Sequence, residues 1–217
     1  MSTRHNGPFP LKKYSFFHFF VLLKLHLTSK LQRMKEIRKE LRKTRRSIDQ
    51  PTRKKRGRQL LYQCQKNSIF RNAKHVAIFI PNDGEIETSN TINFLTHQGY
   101  LVYLPILVRE KLKFAKMGKK YRKNRFGIYE PIYSPLRGAH RMDIILMPLV
   151  GFDKHKNRLG MGGGFYDKTL SFHKQLKNFR VPKLFGLAFD FQEVDNIISK
   201  PWDVPVDGII TPTRFIK

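Results

Sequence analysis

A chain of 217 residues with 40% apolar and 12% aromatic content carries enough hydrophobic side chain for the core of one α/β domain, which excludes general disorder. Lys and Arg number 43 against 16 Asp and Glu, a formal charge of +27, so the molecule attracts polyanions: nucleic acid, nucleotide phosphates or an acidic substrate. The single cysteine, Cys64, excludes an internal disulfide framework and points to a reducing compartment, and no Cys/His cluster has zinc spacing.

Tyr14 to Leu27 is strongly apolar and follows Lys12 and Lys13. It resembles a signal-peptide core, but Leu27-Thr28-Ser29-Lys30 is a poor cleavage site. His18, Lys24 and His26 interrupt a run that is already short for a bilayer. A membrane-leaning extension, a poor signal peptide and a misplaced start site all fit. The start-site reading is preferred, because Met34 opens a well-patterned helix. Residues 1–33 are therefore expected to be an extension and residues 34–217 the folded domain.

Leu31, Met34, Ile37 and Leu41 recur at helical spacing, predicting a first helix from about Lys30 to Ser47. Asp49 suits the N-cap of a second helix, with Pro51 in its first turn, running to about Ser68. Cys64 sits in that pattern and is expected to be a buried structural thiol. His75 to Ile80 reads as a buried parallel strand, Pro81 to Glu87 as a loop, and Thr88 to Gln98 as a helix ended by Gly99. Leu101 to Leu104 is a strand expected to stop at Pro105. Arg109 to Arg125 holds nine basic residues and one acid, Glu110, and reads as a solvated hairpin or flexible loop. Asp143 to Met147 is a strand, Tyr166 to Phe179 a helix, Lys183 to Phe189 a strand and Gly208 to Thr211 the last strand. This alternation predicts a single-domain, open, mostly parallel sheet with flanking helices, a Rossmann-like three-layer α/β fold. Ligands in such sheets sit beyond the carboxyl ends of strands, so the loops after Ile80 and Met147 can face one cleft.

The most informative segment is Asn157-Arg158-Leu159-Gly160-Met161-Gly162-Gly163-Gly164-Phe165-Tyr166-Asp167. A glycine-rich turn between a strand and a helix lets backbone N–H groups converge on an anion. Arg158 adds charge, and Asp167 is available to a metal ion. The loop matches neither the Walker pattern nor the dinucleotide fingerprint. In Asn82-Asp83-Gly84-Glu85-Ile86-Glu87-Thr88 the acids either accept hydrogen bonds from a nitrogen-rich heterocycle or cap the next helix. Lys35, Arg38, Arg42, Arg45 and Arg46 form a helical stripe, either a solvated face or a clamp on nucleotide phosphates. In Pro201-Trp202-Asp203-Val204-Pro205-Val206-Asp207, one aspartate could join Asp167 around a hard divalent cation.

Taken together, these segments resemble the 5-formyltetrahydrofolate cyclo-ligase (5,10-methenyltetrahydrofolate synthetase) family, from about Met34 to Thr211. The most specific stretches are Asp143 to Asp153 and Asn157 to Asp167. Glu36-Ile37-Arg38…Arg45-Arg46, Gly84 to Thr88, Phe126 to Pro131 and Asp203 to Asp207 support them. The resemblance implies an ATP- and Mg²⁺-dependent ligase in which the formyl oxygen attacks the γ-phosphorus. N10 then attacks the activated carbon, and phosphate leaves as the ring closes. By the same resemblance, Met34, Lys35 and Arg38 contact ATP, and Arg158, Leu159, Gly160, Met161, Gly162, Gly163, Gly164, Phe165 and Tyr166 wrap its phosphates. Met161 to Phe165 also touch the folate, Arg158 and Tyr166 serve the reacting centre, and Asp167 and Asp203 hold Mg²⁺. Asn82 and Glu87 recognise the folate, with Glu87 on the pterin. The family usually has a basic residue where Met34 stands, often tyrosine where Phe165 stands and often histidine where Trp202 stands. The partners expected are ATP and 5-formyltetrahydrofolate, including polyglutamylated forms drawn to the basic segment. Neither nucleic acid nor stable membrane attachment is expected, and the location is expected to be cytoplasmic. The alternative reading is a basic nucleic-acid-binding protein without catalysis, motivated by Tyr121, Phe126 and Tyr129 near lysines.

Overall fold

Long arginine- and lysine-rich segments with one apolar stripe begin the chain as helices. The computed structural model describes residues 16–124, 127, 129–132, 134–174 and 182–217. Helix α1 (Phe16–Ser47) is 32 residues long. It starts well before Lys30 and passes unbroken through Met34. Helix α2 (Gln50–Lys66) follows after a sharp break. Asp49 caps it as predicted, accepting from Thr52 N at 2.8 Å. Cys64 is fully buried in this helix, and burial pushes its thiol up to about 12. It is a packing residue.

Strand β1 (His75–Ala77) is half the predicted length. Ile78 N still donates to Tyr103 O at 2.9 Å, and then the chain leaves the sheet. Helix α3 (Ser89–His97) ends at Gly99, whose φ of +78° demands glycine. Strand β2 (Leu101–Val108) runs straight through Pro105, where a stop is expected. Tyr103 O faces β1, so by strand alternation Pro105 N faces the same side, beyond the point where β1 has ended. No ladder bond is lost there. Strand β3 (Lys111–Lys116) pairs antiparallel with β2. The basic segment is thus a hairpin, but not a solvated one throughout: Leu112, Phe114 and Ala115 are buried while Lys111, Lys113 and Lys116 face solvent. Strands β4 (Tyr121–Lys123) and β5 (Tyr129–Pro131) form a separate small hairpin.

The remaining elements are β6 (Leu136–Arg137), β7 (Ile144–Pro148), β8 (Gly151–Phe152), β9 (Arg158–Leu159), α4 (Phe165–Leu170), β10 (Lys183–Leu187), β11 (Gly208–Ile210) and β12 (Phe215–Ile216). Helix α4 is shorter than the helix predicted from Tyr166 to Phe179. A 3₁₀ turn, Ser171–Lys174, follows it, and the rest of that span lies outside the described residues. Thr169 and Ser171 bond back to the carbonyls of Phe165 and Lys168, which competes with helix continuation. The last strand is β12, not the predicted Gly208–Thr211 segment. Phe126 and Ile128 of the resemblance also lie outside the described residues.

The main sheet has eight strands in the order β12-β11-β10-β7-β1-β2-β3-β6. Its centre, β11 through β2, is parallel. The edges β12, β3 and β6 are antiparallel. One face packs Leu60, Cys64, Ile92 and Leu95 from α2 and α3. The other packs Leu170 of α4 against Tyr103, Ile145 and Met147. Three layers result, as the alternation of runs predicts.

Candidate active site

Parallel neighbours β1 and β7 send their chains to opposite sides, β1 toward α3 and β2, β7 toward β10. Such a switch point opens a crevice at the carboxyl ends of the strands. A cavity of about 340 Å³ lies there. The predicted convergence of the loops after Ile80 and Met147 is real: Ile80, Asn82, Asp83 and Glu85 line it together with Pro148, Leu149 and Val150. Arg158, Gly160, Met161, Gly163, Gly164, Phe165, Tyr166 and Asp167 also line it, with the apolar Phe79, Leu104, Pro105, Leu107 and Leu112. Asn124 and Glu130 reach it from the small hairpin.

Asp153 shapes the approach to the glycine loop. It is fully buried and accepts from His155 N, Asn157 N and Nδ2, and Ile197 N. Burial alone would raise its carboxyl, but these hydrogen bonds outweigh it and hold the group below the usual range. The turn so fixed returns as β9 and delivers Arg158. Beyond it, Gly162 has φ +106° and Gly164, at the start of α4, has φ +64°. A Cβ built at Gly160, Gly162 or Gly164 would meet nothing within 4 Å. The loop is therefore bare backbone facing open space, which a phosphate chain can enter.

Arg158 has a side chain only 6% exposed and pairs with Asp167. Its Nε is buried and has no hydrogen-bond partner among the described residues. Buried donors are rarely left so, and an acceptor from outside the chain would satisfy it. Asp167 Oδ1 also accepts from Val204 N at 3.0 Å, which brings the neighbouring Asp203 to the same place. Asp203 Oδ2 accepts from Lys200 N at 2.8 Å. Each aspartate keeps a second oxygen for a ligand. Among the described residues no group of three or more His, Cys, Asp or Glu forms a metal cage. Asp167 lines the cavity and Asp203 does not, but with Val204 N on Asp167 the two carboxylates could together hold a hard cation that completes its shell with phosphate oxygens and water. Trp202 is exposed, with Lys200 Nζ 5.3 Å from its ring centre.

Glu85 Oε2 accepts from Asn82 N at 3.0 Å. Burial pushes its carboxyl up to about 7, the charge of Asp83 adding to the shift while Asn82 N and Arg45 oppose it. Tyr166 is held up first by burial and then by the charge of Glu85, so its phenol keeps its proton. Both groups line the cavity. Glu87 does not reach the cavity wall. Its Oε1 accepts from Ser89 N at 2.9 Å at the start of α3, the capping role open to that loop. Sequence spacing does not separate Glu85 from Glu87, since both lie two residues apart in one irregular loop. Glu130, buried and bonded to Asn124 Nδ2 at 2.8 Å, gave no sequence signal beyond its place in the Phe126–Pro131 segment.

The basic stripe of α1 divides. Met34 is buried against Leu159 and Ile197, Lys35 faces solvent, and Arg38 Nε donates to Gly160 O at 2.8 Å. Arg42, Arg45 and Arg46 all pair with Asp83. Those three are engaged with the protein itself and are not a free phosphate clamp. Met34 and Arg38 touch the glycine-loop segment; Lys35 does not.

Comparison with known proteins gives a consistent result. The model of the 5-formyltetrahydrofolate cyclo-ligase family matches residues 30–212. The chain is 39% identical over 187 residues to the 5-formyltetrahydrofolate cyclo-ligase of Haemophilus influenzae, covering 82% of this chain and 97% of that one. It is 33% identical over 181 residues to the enzyme of the same name from Escherichia coli K12, covering 80% and 97%. In fold it is similar to the NMR structure of Aquifex aeolicus 5,10-methenyltetrahydrofolate synthetase, with a TM-score of 0.72 and 24% identity over 84% of this chain and 91% of that one.

Proposed function

The chain belongs to the 5-formyltetrahydrofolate cyclo-ligase family, and from that premise we propose that the cavity between β1 and β7 converts 5-formyltetrahydrofolate and ATP to 5,10-methenyltetrahydrofolate, ADP and phosphate. Membership displaces the alternative of a non-catalytic nucleic-acid binder. The observation that carries the site assignment is the meeting, in one cavity, of a bare glycine loop, an unsatisfied buried Arg158 Nε and the protonated Tyr166 beside Glu85.

The two kinds of lining suit the two substrates. The glycine loop and Arg158 take the phosphate chain, and the apolar Leu104, Leu107 and Leu112 take the pterin. Glu85, not Glu87, is the carboxylate placed to accept hydrogen bonds from the amino and ring N–H edge of the pterin, with Asn82 at the rim. A neutral amide oxygen leaves poorly, so the reaction needs the formyl oxygen phosphorylated before N10 closes the ring. What the chain contributes is alignment and charge neutralisation. Arg158 sits where negative charge spreads over the transferring group. The hydroxyl of Tyr166, kept protonated, offers a hydrogen bond at the reacting centre. Leu159 and Met34 pack beneath the loop and hold its height. Asp167 and Asp203 would hold Mg²⁺, which when bound neutralises phosphate charge. Residues 34–217 form the catalytic domain in this reading. The exposed Lys111 and Lys113 flank the cavity residue Leu112, Lys116 lies at the end of the same strand, and together they offer counter-charge to a polyglutamate tail.

The test is absorbance at the methenyl band with purified protein, 5-formyltetrahydrofolate, ATP and Mg²⁺. Product forms, EDTA abolishes it, and Asp167→Ala removes it while the protein stays folded. Turnover that persists in Asp167→Ala would refute this site.

A further inference from the structure

Helix α1 does more than begin the domain. Arg38, Arg42, Arg45 and Arg46 lie on one helical face, and they reach three separate loops of the cavity. Arg38 Nε holds Gly160 O of the glycine loop at 2.8 Å. Arg45 Nη1 reaches Leu149 O, just past β7, at 3.4 Å. Arg42 Nε and Arg45 Nη2 meet Asp83 Oδ2 at 2.8 and 2.7 Å. Arg46 takes the other oxygen, Oδ1. Arg45 Nε adds a bond to the main-chain carbonyl of Asp83 at 2.9 Å.

The loop is also seated by shape. Gly84, between Asp83 and Glu85, has φ +75°, and a Cβ there would lie 2.8 Å from Arg45 O. The backbone of the loop therefore rests directly on the end of α1. Arg53 of α2 fixes that end in turn, donating to Arg45 O and Arg46 O at 3.0 and 3.1 Å. Arg45 is 1% exposed, and a buried guanidinium is tolerable only while its partner is present. Asp83 is that partner. The next residue but one is Glu85, the carboxyl that faces the cavity.

We infer that Asp83 is a positioning residue for folate binding: by bridging the arginines of α1 it sets the pitch of the loop that presents Glu85 to the pterin. The inference rests on the reading of the cavity given above. It assigns the arginine stripe a mechanical role behind the site in place of contact with nucleotide. It also predicts an asymmetry. The bridge supports the loop that carries Glu85 directly, whereas the glycine loop rests on α1 through Arg38 and Met34, neither of which pairs with Asp83. Loosening Asp83 should therefore damage folate use far more than ATP use.

Charge gives a second signature. Arg45, Asp83 and Tyr166 act on Glu85 electrostatically, and Glu130, Arg158 and Asp167 line the same cavity. Removing the charge of Asp83 takes away a neighbour that favours the protonated carboxyl and leaves Arg45, which favours the carboxylate, less neutralised. Glu85 should then ionise at lower pH.

The experiment compares wild type with Asp83→Asn and Arg46→Gln, the latter at an exposed side chain that can be changed without endangering the fold. Steady-state kinetics are measured for each substrate across pH, and calorimetric titration with 5-formyltetrahydrofolate is run without ATP. Asp83→Asn is expected to lower kcat/KM for the folate at least tenfold, with KM for ATP within threefold of wild type. The acid limb of the folate profile should move to lower pH, the direction an unneutralised Arg45 imposes. Arg46→Gln should weaken folate binding about threefold without moving KM for ATP. Should Asp83→Asn fail to fold, Arg46→Gln decides alone by that same split. Unchanged folate kinetics and binding, or equal losses for both substrates, would overturn the inference. Wild-type turnover and its loss in Asp167→Ala are read in the same series, so failure of the underlying site reading shows separately.

Discussion

Replacing Gly162 by alanine separates a cost to the fold from a cost to the site. Its φ of +106° is one that side chains rarely adopt, yet a Cβ there would touch nothing within 4 Å. The only structural cost is backbone strain, about 1–2 kcal/mol. In a domain of this size that lowers the melting temperature by roughly 2–8 °C. Gly99 supplies an internal control, with φ +78°, equally open space and a position at the far end of α3. Gly99→Ala should carry a similar melting penalty and full activity. Gly162→Ala places a methyl group in the space proposed for the phosphates. Losing a properly placed oxyanion contact typically costs 10²–10³ in rate, about 3–4 kcal/mol. The assay is methenyl formation at 25 °C, below either transition, with ATP titrated from far below to far above its wild-type KM. A hundredfold loss in kcat/KM for ATP in Gly162→Ala alone is the expected result. If both variants lose stability equally and both keep wild-type kinetics, the glycine loop does not hold the nucleotide.

Glu85→Gln should raise KM for 5-formyltetrahydrofolate and erase an acid limb near pH 7 in kcat/KM, because the carboxyl held at about 7 accepts from the pterin only when ionised. Glu87→Gln should leave that profile intact and shift only the melting temperature, through the start of α3. Burial alone would raise the carboxyl of Asp83, but Arg42, Arg46 and Arg45 outweigh it and hold the group at about 2, against 3.8 for a free aspartate. A depressed carboxylate stabilises the fold above its unfolded value and loses that contribution as pH falls through the folded one. This amounts to about 2 kcal/mol. The melting gap between wild type and Asp83→Asn should be full at pH 5 and close on titration toward pH 2. Changing Lys111, Lys113 and Lys116 together to glutamine should raise KM at low salt for a polyglutamylated folate and spare the monoglutamate. Equal effects on both, or none, would remove the lysines from tail binding.

Sequence alone carried the parts whose causes are local. Asp49 with Pro51 and Thr52 specifies a helix start within one turn, and Gly99 specifies a helix end. The apolar runs at β1, β7, β10 and β11 specify a parallel centre, because strands buried on both faces leave no room for polar alternation. The Arg158–Asp167 segment points to an anion site through residue type, and its Gly162 and Gly164 take the positive φ that glycine allows. Tertiary structure decided the rest. Pro105 lies inside β2 because the neighbouring strand ends early, a fact absent from the residues around it. Leu112 and Phe114 are core because α4 packs on that face of β3, although lysines surround them in sequence. Arg42, Arg45 and Arg46 look identical to phosphate ligands until Asp83, remote in the chain, is folded onto them. Which of Glu85 and Glu87 enters the cavity depends on how Gly84 rests on the carbonyl of Arg45. Local propensity and period are written in neighbours along the chain, whereas burial, ion pairing and the direction a loop faces are set by atoms that only the fold brings together.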